Sequence, residues 1–407
     1  MPDRSDLQSF YKIILIEKMK IAYITEFDIN SNQKNWQRHQ IGHWGRCYYM
    51  AKSLEDELTR LEYLGPLAKK DALLPKIKSR LYNKVLKQTY HAWADPIFNK
   101  DYARQIEKKL SKINLDVVVS PDINFLAYLE CDRSLILWVD TLYTGLINYY
   151  LDYMNLCQET IHHLREMDRL TLNKCTKVIF SSDWMAKKAI ETYQVDPSKI
   201  NIVPFGANIE CNRTLEDINN LVKTRPKTPC KLLFIGVDWV RKGGKIALEV
   251  AKELNAAGLR TELTIVGCQP IANEPIPKFV KYLGFIDKSK KEGLEKLDRL
   301  LAESHFLILP SQAECYGHVF CEANSFGLPC IATDVGGIPS IIKDNLNGKT
   351  FPVTASISDY CAYIFNLMNN YPDYENLAIS SFNEYQTRLN WNVAGQTVKN
   401  ILNEIIK

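Results

Sequence analysis

The sequence predicts an α/β protein of two domains, each a parallel sheet wrapped by helices. Three observations carry this. Nine short runs rich in Val, Ile and Leu recur with longer amphipathic stretches between them, the pattern of parallel strands buried on both faces. At 407 residues the chain is long for one core and comfortable for two domains. The alternation lapses once, over IECNRTLEDINNLVKTRPKTPC at 209–230, and restarts at Lys231. That polar stretch with two prolines is expected to be an interdomain linker.

The elements follow in order. Residues 1–18 read as a non-core N-terminal extension. Their apolar stretch is too short, and lacks the small-residue cleavage site, for a signal peptide. Strands are expected at 21–25 (IAYIT), 116–119 (DVVV), 135–139 (LILWV), 177–180 (KVIF) and 200–203 (INIV), within a first domain spanning 19–208. A second domain, 209–390, supplies strands at 232–236, 262–266, 306–309 and 330–333. Its helix 243–257 shows Ile246, Val250 and Leu254 at four-residue spacing. The last segment, 391–407, sets Trp391, Ala394, Val398, Ile401, Leu402 and Ile405 on one helical face.

Composition removes several classes of function. Hydrophobic residues are 46% and charged residues 24%, ordinary for a globular protein. No run of about 18 apolar residues occurs, so no membrane-spanning helix is expected. A net charge of +4 is too small to mark a nucleic-acid binder. The 11 cysteines are odd in number and lack C-x-x-C spacing, so they read as free thiols of a cytoplasmic protein. The histidines show no zinc-ligand spacing and no D-x-D occurs, so no metal is expected. The absence of G-x-G-x-x-G after the first strand argues against a dehydrogenase. Gly348-Lys349-Thr350 mimics the end of a P-loop, but Lys343 stands where the required glycine would be.

Two stretches carry candidate chemistry. In FLILPSQAECYGHVFCEANSFGLPCIATDVGGIPS (306–340), a buried strand ends at Pro310, a loop holds Glu314 and Gly317, and a helix begins near His318 with Glu322 on it. Gly317 permits close backbone approach, and free N–H groups at a helix start bind anions. Such a turn suits a diphosphate, with a carboxylate one turn further placed to accept from sugar hydroxyls. The plainer alternative is two surface carboxylates above an ordinary βα unit. In LLFIGVDWVRKGGKIALEV the strand ends at Gly236, and Arg241-Lys242-Gly243-Gly244 open a helix. Two cations at a helix N-terminus oppose its dipole. An anion held between them explains their presence better than a solvated turn.

Together Gly236, Arg241, Lys242, Glu314, Glu322 and the loop DVGG at 334–337 resemble a family-4 retaining glycosyltransferase of the GT-B fold (glycosyl transferases group 1). Supporting marks are PFGAN at 204–208, TIVG at 264–267, LGFI at 283–286 and NGKTF at 347–351. The resemblance spans nearly the whole chain after Met19 and is strongest from 231 to 352. It implies two Rossmann-like domains facing across a cleft, with the helix 391–407 crossing back onto the first. It also implies roles. Arg241 and Lys242 would neutralise the diphosphate of a nucleoside-diphosphate sugar, helped by backbone amides of Tyr316, Gly317, His318 and Val319. Glu322 would hold the ribose and Glu314 the donor sugar, while the base would lie near Phe285 and Ile286. No cofactor is implied, and the second substrate would be a glycan or lipid-linked acceptor. Nucleotide, sugar and acceptor stay open.

The first domain departs from the family pattern. Where relatives commonly have two adjacent glycines, Gly42 and Gly45 are separated by His43 and Trp44. Gly45 is the expected phosphate-side glycine, and His43 and Trp44 otherwise read as loop packing. Asp140 stands where many relatives place a histidine near the reacting sugar, and is the expected acceptor-side group. Glu166 and the SSDW turn at 181–184 are expected to shape the same cleft, though Ser182-Asp183 also reads as a helix cap. Competing functions are a GT-B sugar-nucleotide epimerase or hydrolase, and a non-catalytic sugar-nucleotide-binding scaffold.

One further stretch stands out. Between Pro66 and Lys112, twelve Lys or Arg face only Asp71, Asp95, Asp101 and Glu107. Leu74, Ile77, Leu81 and Val85 fit one helical face there. This reads either as a peripheral contact with an anionic membrane, on its inner face, or as a helix packing its Leu side on the first sheet.

Overall fold

The computed structural model describes residues 18–31, 41–271 and 274–406. The expected N-terminal extension lies outside them, apart from Lys18. The first domain holds a six-stranded parallel sheet of β1 (Met19–Tyr23), β2 (Thr59–Tyr63), β3 (Val117–Ser120), β4 (Ser134–Val139), β5 (Lys177–Phe180) and β6 (Ile200–Ile202), in the order β2-β1-β3-β4-β5-β6. The second holds β7 (Cys230–Gly236), β8 (Thr261–Gly267), β9 (Val280–Tyr282), β10 (Phe306–Leu309), β11 (Cys330–Thr333) and β12 (Gly348–Phe351), all parallel, in the order β12-β11-β10-β7-β8-β9.

Alternation along each strand divides the core. Ile21 and Tyr23 of β1 face one side of the first sheet with Val117, Val119, Ile136 and Trp138, while Ala22, Val118, Leu137 and Val139 face the other. The first set belongs to a core that continues through Phe205 and Trp391 into the second domain. All 11 cysteines are unpaired thiols.

Sheet order decides where a site forms. Open parallel sheets bind ligands beyond the carboxyl ends of their strands, where the strand order reverses. In the second sheet the reversal falls between β7 and β10, and the Arg241-Lys242 turn and the Glu314 loop follow those two strands. In the first it falls between β1 and β3.

Two expectations are corrected here. The polar stretch 209–230 is not a bare linker. Leu215–Thr224 is a helix opened by a reciprocal capping box of Thr214 and Asp217. It buries Ile218 and Val222 against the helix Tyr371–Arg388. The basic stretch does not pack its Leu face inward. The helix Leu73–Arg80 continues as a wider π-helical turn, Leu81–Leu86. Leu73, Leu74, Ile77, Leu81, Val85 and Leu86 are all between 48% and 72% exposed.

The chain crosses between domains twice. The first crossing follows β6 through Phe205-Gly206, and the second enters the helix Trp391–Ile406. A Cβ at Gly206 would collide with the Trp391 backbone, so only glycine lets the two crossings touch. The Trp391 ring stacks on Phe205 (5.4 Å) and on His318 (5.9 Å). The helix then lies on the first-domain helix Ile41–Leu54, where Gly395 meets the Ser53 carbonyl and Lys399 pairs with Asp56.

Candidate functional site

A cavity of about 1180 Å³ lies between the carboxyl ends of the two sheets, lined by side chains of both domains. On the second-domain side, β7 ends at Gly236 and the turn to the helix Gly244–Ala256 brings Arg241 and Lys242 inward. Gly243 has φ +74°, and its Cα sits against the Pro310 carbonyl, a spot no Cβ could share. The turn is therefore pinned to the loop that follows β10. Arg241 donates to the Ala313 carbonyl (3.0 Å), and its backbone N–H donates to Asp238 (3.0 Å). Lys242 pairs with Oε2 of Glu314, and Arg241 stands 3.7 Å from the same oxygen.

Glu314 is thus a buried carboxylate between two cations rather than a surface residue. Burial pushes its carboxyl up, but Lys242 and then Arg241 outweigh this and hold it below the usual glutamate range. Its loop rests on DVGG. The Gly337 N–H donates to the Glu314 carbonyl (3.1 Å), and Gly336 (φ +54°) sits against that carbonyl with no room for a Cβ. Glu322 is also buried, and Lys288 donates to both of its oxygens at 2.6 Å.

The predicted donor residues sort into two groups. Gly45, Gly236, Tyr316, Gly317, His318, Val319 and Glu322 line the cavity beside Arg241, Lys242, Glu314 and Asp140. Phe285 and Ile286 do not, although Lys288 and Ser289 just after them do. The Tyr316 and His318 side chains bind the first crossing: the Tyr316 hydroxyl donates to the Phe205 carbonyl (2.6 Å), and His318 Nδ1 lies 3.0 Å from the Gly206 carbonyl oxygen.

On the first-domain side, the helix Ile41–Leu54 presents Arg46 beneath Asp140. The guanidinium pairs with Asp140 and donates to the Pro121 carbonyl (3.1 Å) and to Asp122 (3.3 Å). His43 Nε2 lies 3.4 Å from the other oxygen of Asp122. Desolvation opposes charge on His43, but Asp122 and Cys47 raise its pKa well above the ordinary value. Burial likewise raises Asp122, and His43 followed by Arg46 more than offsets it. Ligand atoms of His43, Cys47 and Asp122 come within 4.8 Å of one another. Arg46 Nη2, 3.2 Å from His43 Nδ1, puts a fixed positive charge beside them that opposes a metal ion. Arg46→Met leaves Asp140 and Asp122 without their common cation. The expected cost is about 2 kcal/mol of stability, read as a lower urea midpoint at unchanged slope.

Three expected cleft residues are elsewhere or otherwise engaged. Glu166 pairs with Arg169 and lines a separate small surface pocket. Ser182 caps the helix Asp183–Tyr193 by accepting the Met185 N–H, and Asp183 exchanges hydrogen bonds with Ser340 of the second domain. Arg46, Asp122, Lys288, Tyr149 and Tyr150 escaped the sequence reading. Their available signals were an arginine directly after Gly45, a lysine just past LGFI, and the tyrosine-dense run at 149–153.

Residues 217–383 match the family model described as glycosyl transferases group 1. The amylovoran biosynthesis glycosyltransferase AmsK of Erwinia amylovora is 24% identical over 221 residues, covering 51% of this chain and 51% of that one. The chain thus spans about half the length of the curated relatives it matches. A solved glycosyltransferase from Rickettsia africae ESF-5 has a TM-score of 0.62 at 15% identity, covering 96% of this chain and 99% of that chain. Anabaena HepE, solved in complex with UDP-glucose, has a TM-score of 0.60 at 14% identity, covering 95% and 100%. The architecture is that of these GT-B structures.

Proposed function

We propose that this chain, a GT-B protein with a glycosyl transferases group 1 match over 217–383, is a family-4-type retaining glycosyltransferase. It would move a sugar from a nucleoside-diphosphate sugar to an acceptor hydroxyl in glycan or glycolipid synthesis. The observation that carries the reading is the convergence of Arg241, Lys242, Glu314 and the start of the helix His318–Asn324 at the reversal point of the second sheet.

The chemistry follows from charge. As the anomeric C–O bond breaks, the sugar becomes oxocarbenium-like and the leaving diphosphate gains negative charge. Arg241, Lys242 and backbone N–H groups after Gly317 oppose that charge from fixed positions, the arrangement that contributes most when a cleft excludes water. The cations are side chains, so the reading needs no metal and no cofactor. Glu314 meets the sugar hydroxyls. Glu322 has lone pairs left for the ribose beside Lys288. The acceptor enters past Asp140, and holding both substrates in one cleft supplies orientation. With no side chain assigned as nucleophile, the acceptor attacks from the face the diphosphate leaves, which retains configuration.

Incubation with UDP-, GDP- and ADP-sugars, measuring nucleotide release with and without acceptors, tests this. Acceptor-dependent release supports a transferase. Release without any acceptor points instead to a hydrolase or epimerase, and binding without turnover to a scaffold.

The exposed apolar face at 73–86 favours a membrane-borne acceptor. Arg80, Lys84 and Lys87 beside it are exposed and have no carboxylate partner among the described residues, whereas Lys78 pairs with Glu159 and docks the helix. The helix packs on the turn Ala92–Ala94, whose Trp93 lines the cleft, so this face adjoins the acceptor side. No described helix is long and apolar enough to cross a membrane. A cytoplasmic protein resting on the inner, anionic leaflet fits this arrangement. Each basic residue at such a surface contributes about 1 kcal/mol. Reversing Arg80, Lys84 and Lys87 to Glu should therefore weaken binding to phosphatidylserine vesicles by about 100-fold or more. Equal sedimentation of wild type and variant at low salt contradicts the membrane contact but not the transferase.

A further inference from the structure

A loop of the first domain reaches across the cleft to Glu314. It follows the short helix Tyr143–Leu146, whose first backbone N–H groups, of Tyr143 and Thr144, donate to buried Asp168 at 3.0 and 2.8 Å. Two adjacent phenols at its tip meet the second domain. The Tyr149 hydroxyl accepts the N–H of Glu314 (3.1 Å), and its ring packs on Trp184 (5.3 Å). The Tyr150 hydroxyl accepts the N–H of Cys315 (3.1 Å) and donates to Oε1 of Glu314 (3.3 Å). The Tyr150 ring lies 4.9 Å from the Arg241 guanidinium carbon.

We infer that Tyr150 is a positioning residue: it fixes the carboxylate of Glu314 only when the two domains face each other across the closed cleft. The inference rests on the reading of Glu314 as the donor-sugar contact. Lys242 and Arg241 engage Oε2 alone, and a carboxylate held at one oxygen can still pivot about that oxygen, carrying the other with it. Tyr150 engages the other oxygen and so sets which edge meets the sugar. Lys242 and Arg241 share a domain with Glu314 and stay beside it in any domain arrangement, whereas Tyr150 comes from the opposite one. Closure is therefore the event that orients the carboxylate. Tyr149 makes the same crossing but binds only backbone, which makes it the control.

The ionisable groups facing Glu314 are Arg241 and Lys242 from the turn after β7, Tyr149 and Tyr150 from the crossing loop, and Cys315 beside it, with Asp140 acting on Cys315 from the first domain. A phenol donating to the ionised carboxylate favours the charged form, so its removal raises the pKa of Glu314.

The test compares Tyr150→Phe with Tyr149→Phe in the full chain. Tyr150→Phe is expected to lower kcat about tenfold or more, keep UDP, GDP and ADP affinities by calorimetry within twofold to threefold, and move the acidic limb of the rate profile to higher pH. Tyr149→Phe is expected to leave that limb in place. Equal effects of the two variants, or an unmoved limb in Tyr150→Phe, overturn the inference. If no sugar nucleotide is turned over, the transferase reading fails on its own. Carbon-13 NMR of labelled glutamate, with Glu314→Gln to assign the signal, then decides the positioning: Tyr150→Phe must raise the Glu314 titration midpoint, and an unchanged midpoint overturns it.

Discussion

Glu314→Gln abolishes transfer while the affinity for free nucleoside diphosphate stays within tenfold of wild type. The substitution keeps the shape of the side chain and removes its charge, at the point where Lys242 and Arg241 converge. In the reading above Glu314 accepts hydrogen bonds from the sugar, and an amide presents an N–H₂ donor on one side where an acceptor is required. In the same reading the diphosphate is bound by other groups. Once the carboxylate is gone, Lys242 and Arg241 lose their internal counter-ion, so free nucleotide has less competition and binds as well or better. Product formation by coupled assay and nucleotide affinity by calorimetry separate the two effects. A loss of nucleotide affinity beyond tenfold, about 1.4 kcal/mol, would place Glu314 on the nucleotide rather than on the sugar.

Arg241→Ala and Lys242→Ala each reduce transfer by roughly 10² or more, the usual cost of one preorganised charge stabiliser. A solvated turn is already contradicted by geometry, since the two side chains are 21% and 11% exposed and point at a buried carboxylate. Arg241 has a second task. Its bond to the Ala313 carbonyl ties the turn after β7 to the loop after β10, so Arg241→Ala should lower thermal stability by loosening that tie, whereas Lys242→Ala should lower it by leaving buried Glu314 without its closest cation. Steady-state kcat at saturating donor, with a melting curve for each variant, separates lost catalysis from lost stability. Near-wild-type turnover in both would remove the cations from the mechanism.

Apart from β6, an edge strand recovered because its INI is apolar in composition, the strands that the sequence reading recovered and those it missed differ in one physical respect. Central strands such as VVVS of β3 and FLIL of β10 are buried along their whole length, so they read as continuous apolar runs. The missed strands, TRLEY of β2, VKY of β9 and GKTF of β12, all lie at sheet edges, half in solvent, with a polar composition to match. The helix Leu215–Thr224 was hidden for a similar reason: its core face is only Ile218 and Val222.

The site divides in the same way. Arg241-Lys242 and Glu314 through Glu322 were legible because each lies within one βα turn, where spacing along the chain fixes spacing in space. Arg46 and Asp140, 94 residues apart, meet because the connections after β1 and β4 share one end of the first sheet, and Tyr150 and Glu314, 164 apart, because the two sheets face each other. Local pattern carries no trace of that. Lys288 and Glu322 show the limit within one domain: they stand 34 residues apart, with one helix and one strand between them.

The contact of Gly206 with the Trp391 backbone has a mechanical meaning. A single covalent crossing is a swivel, free to bend and to twist. Here two crossings run side by side and are clamped by the stacked rings of Phe205, His318 and Trp391. Twisting about either one would pull the other away and break that stack. Bending about the line through both leaves it whole. The joint is thus closer to a door hinge than to a ball joint, with one soft axis. Along that single arc, Tyr150 always returns to the same carboxylate oxygen.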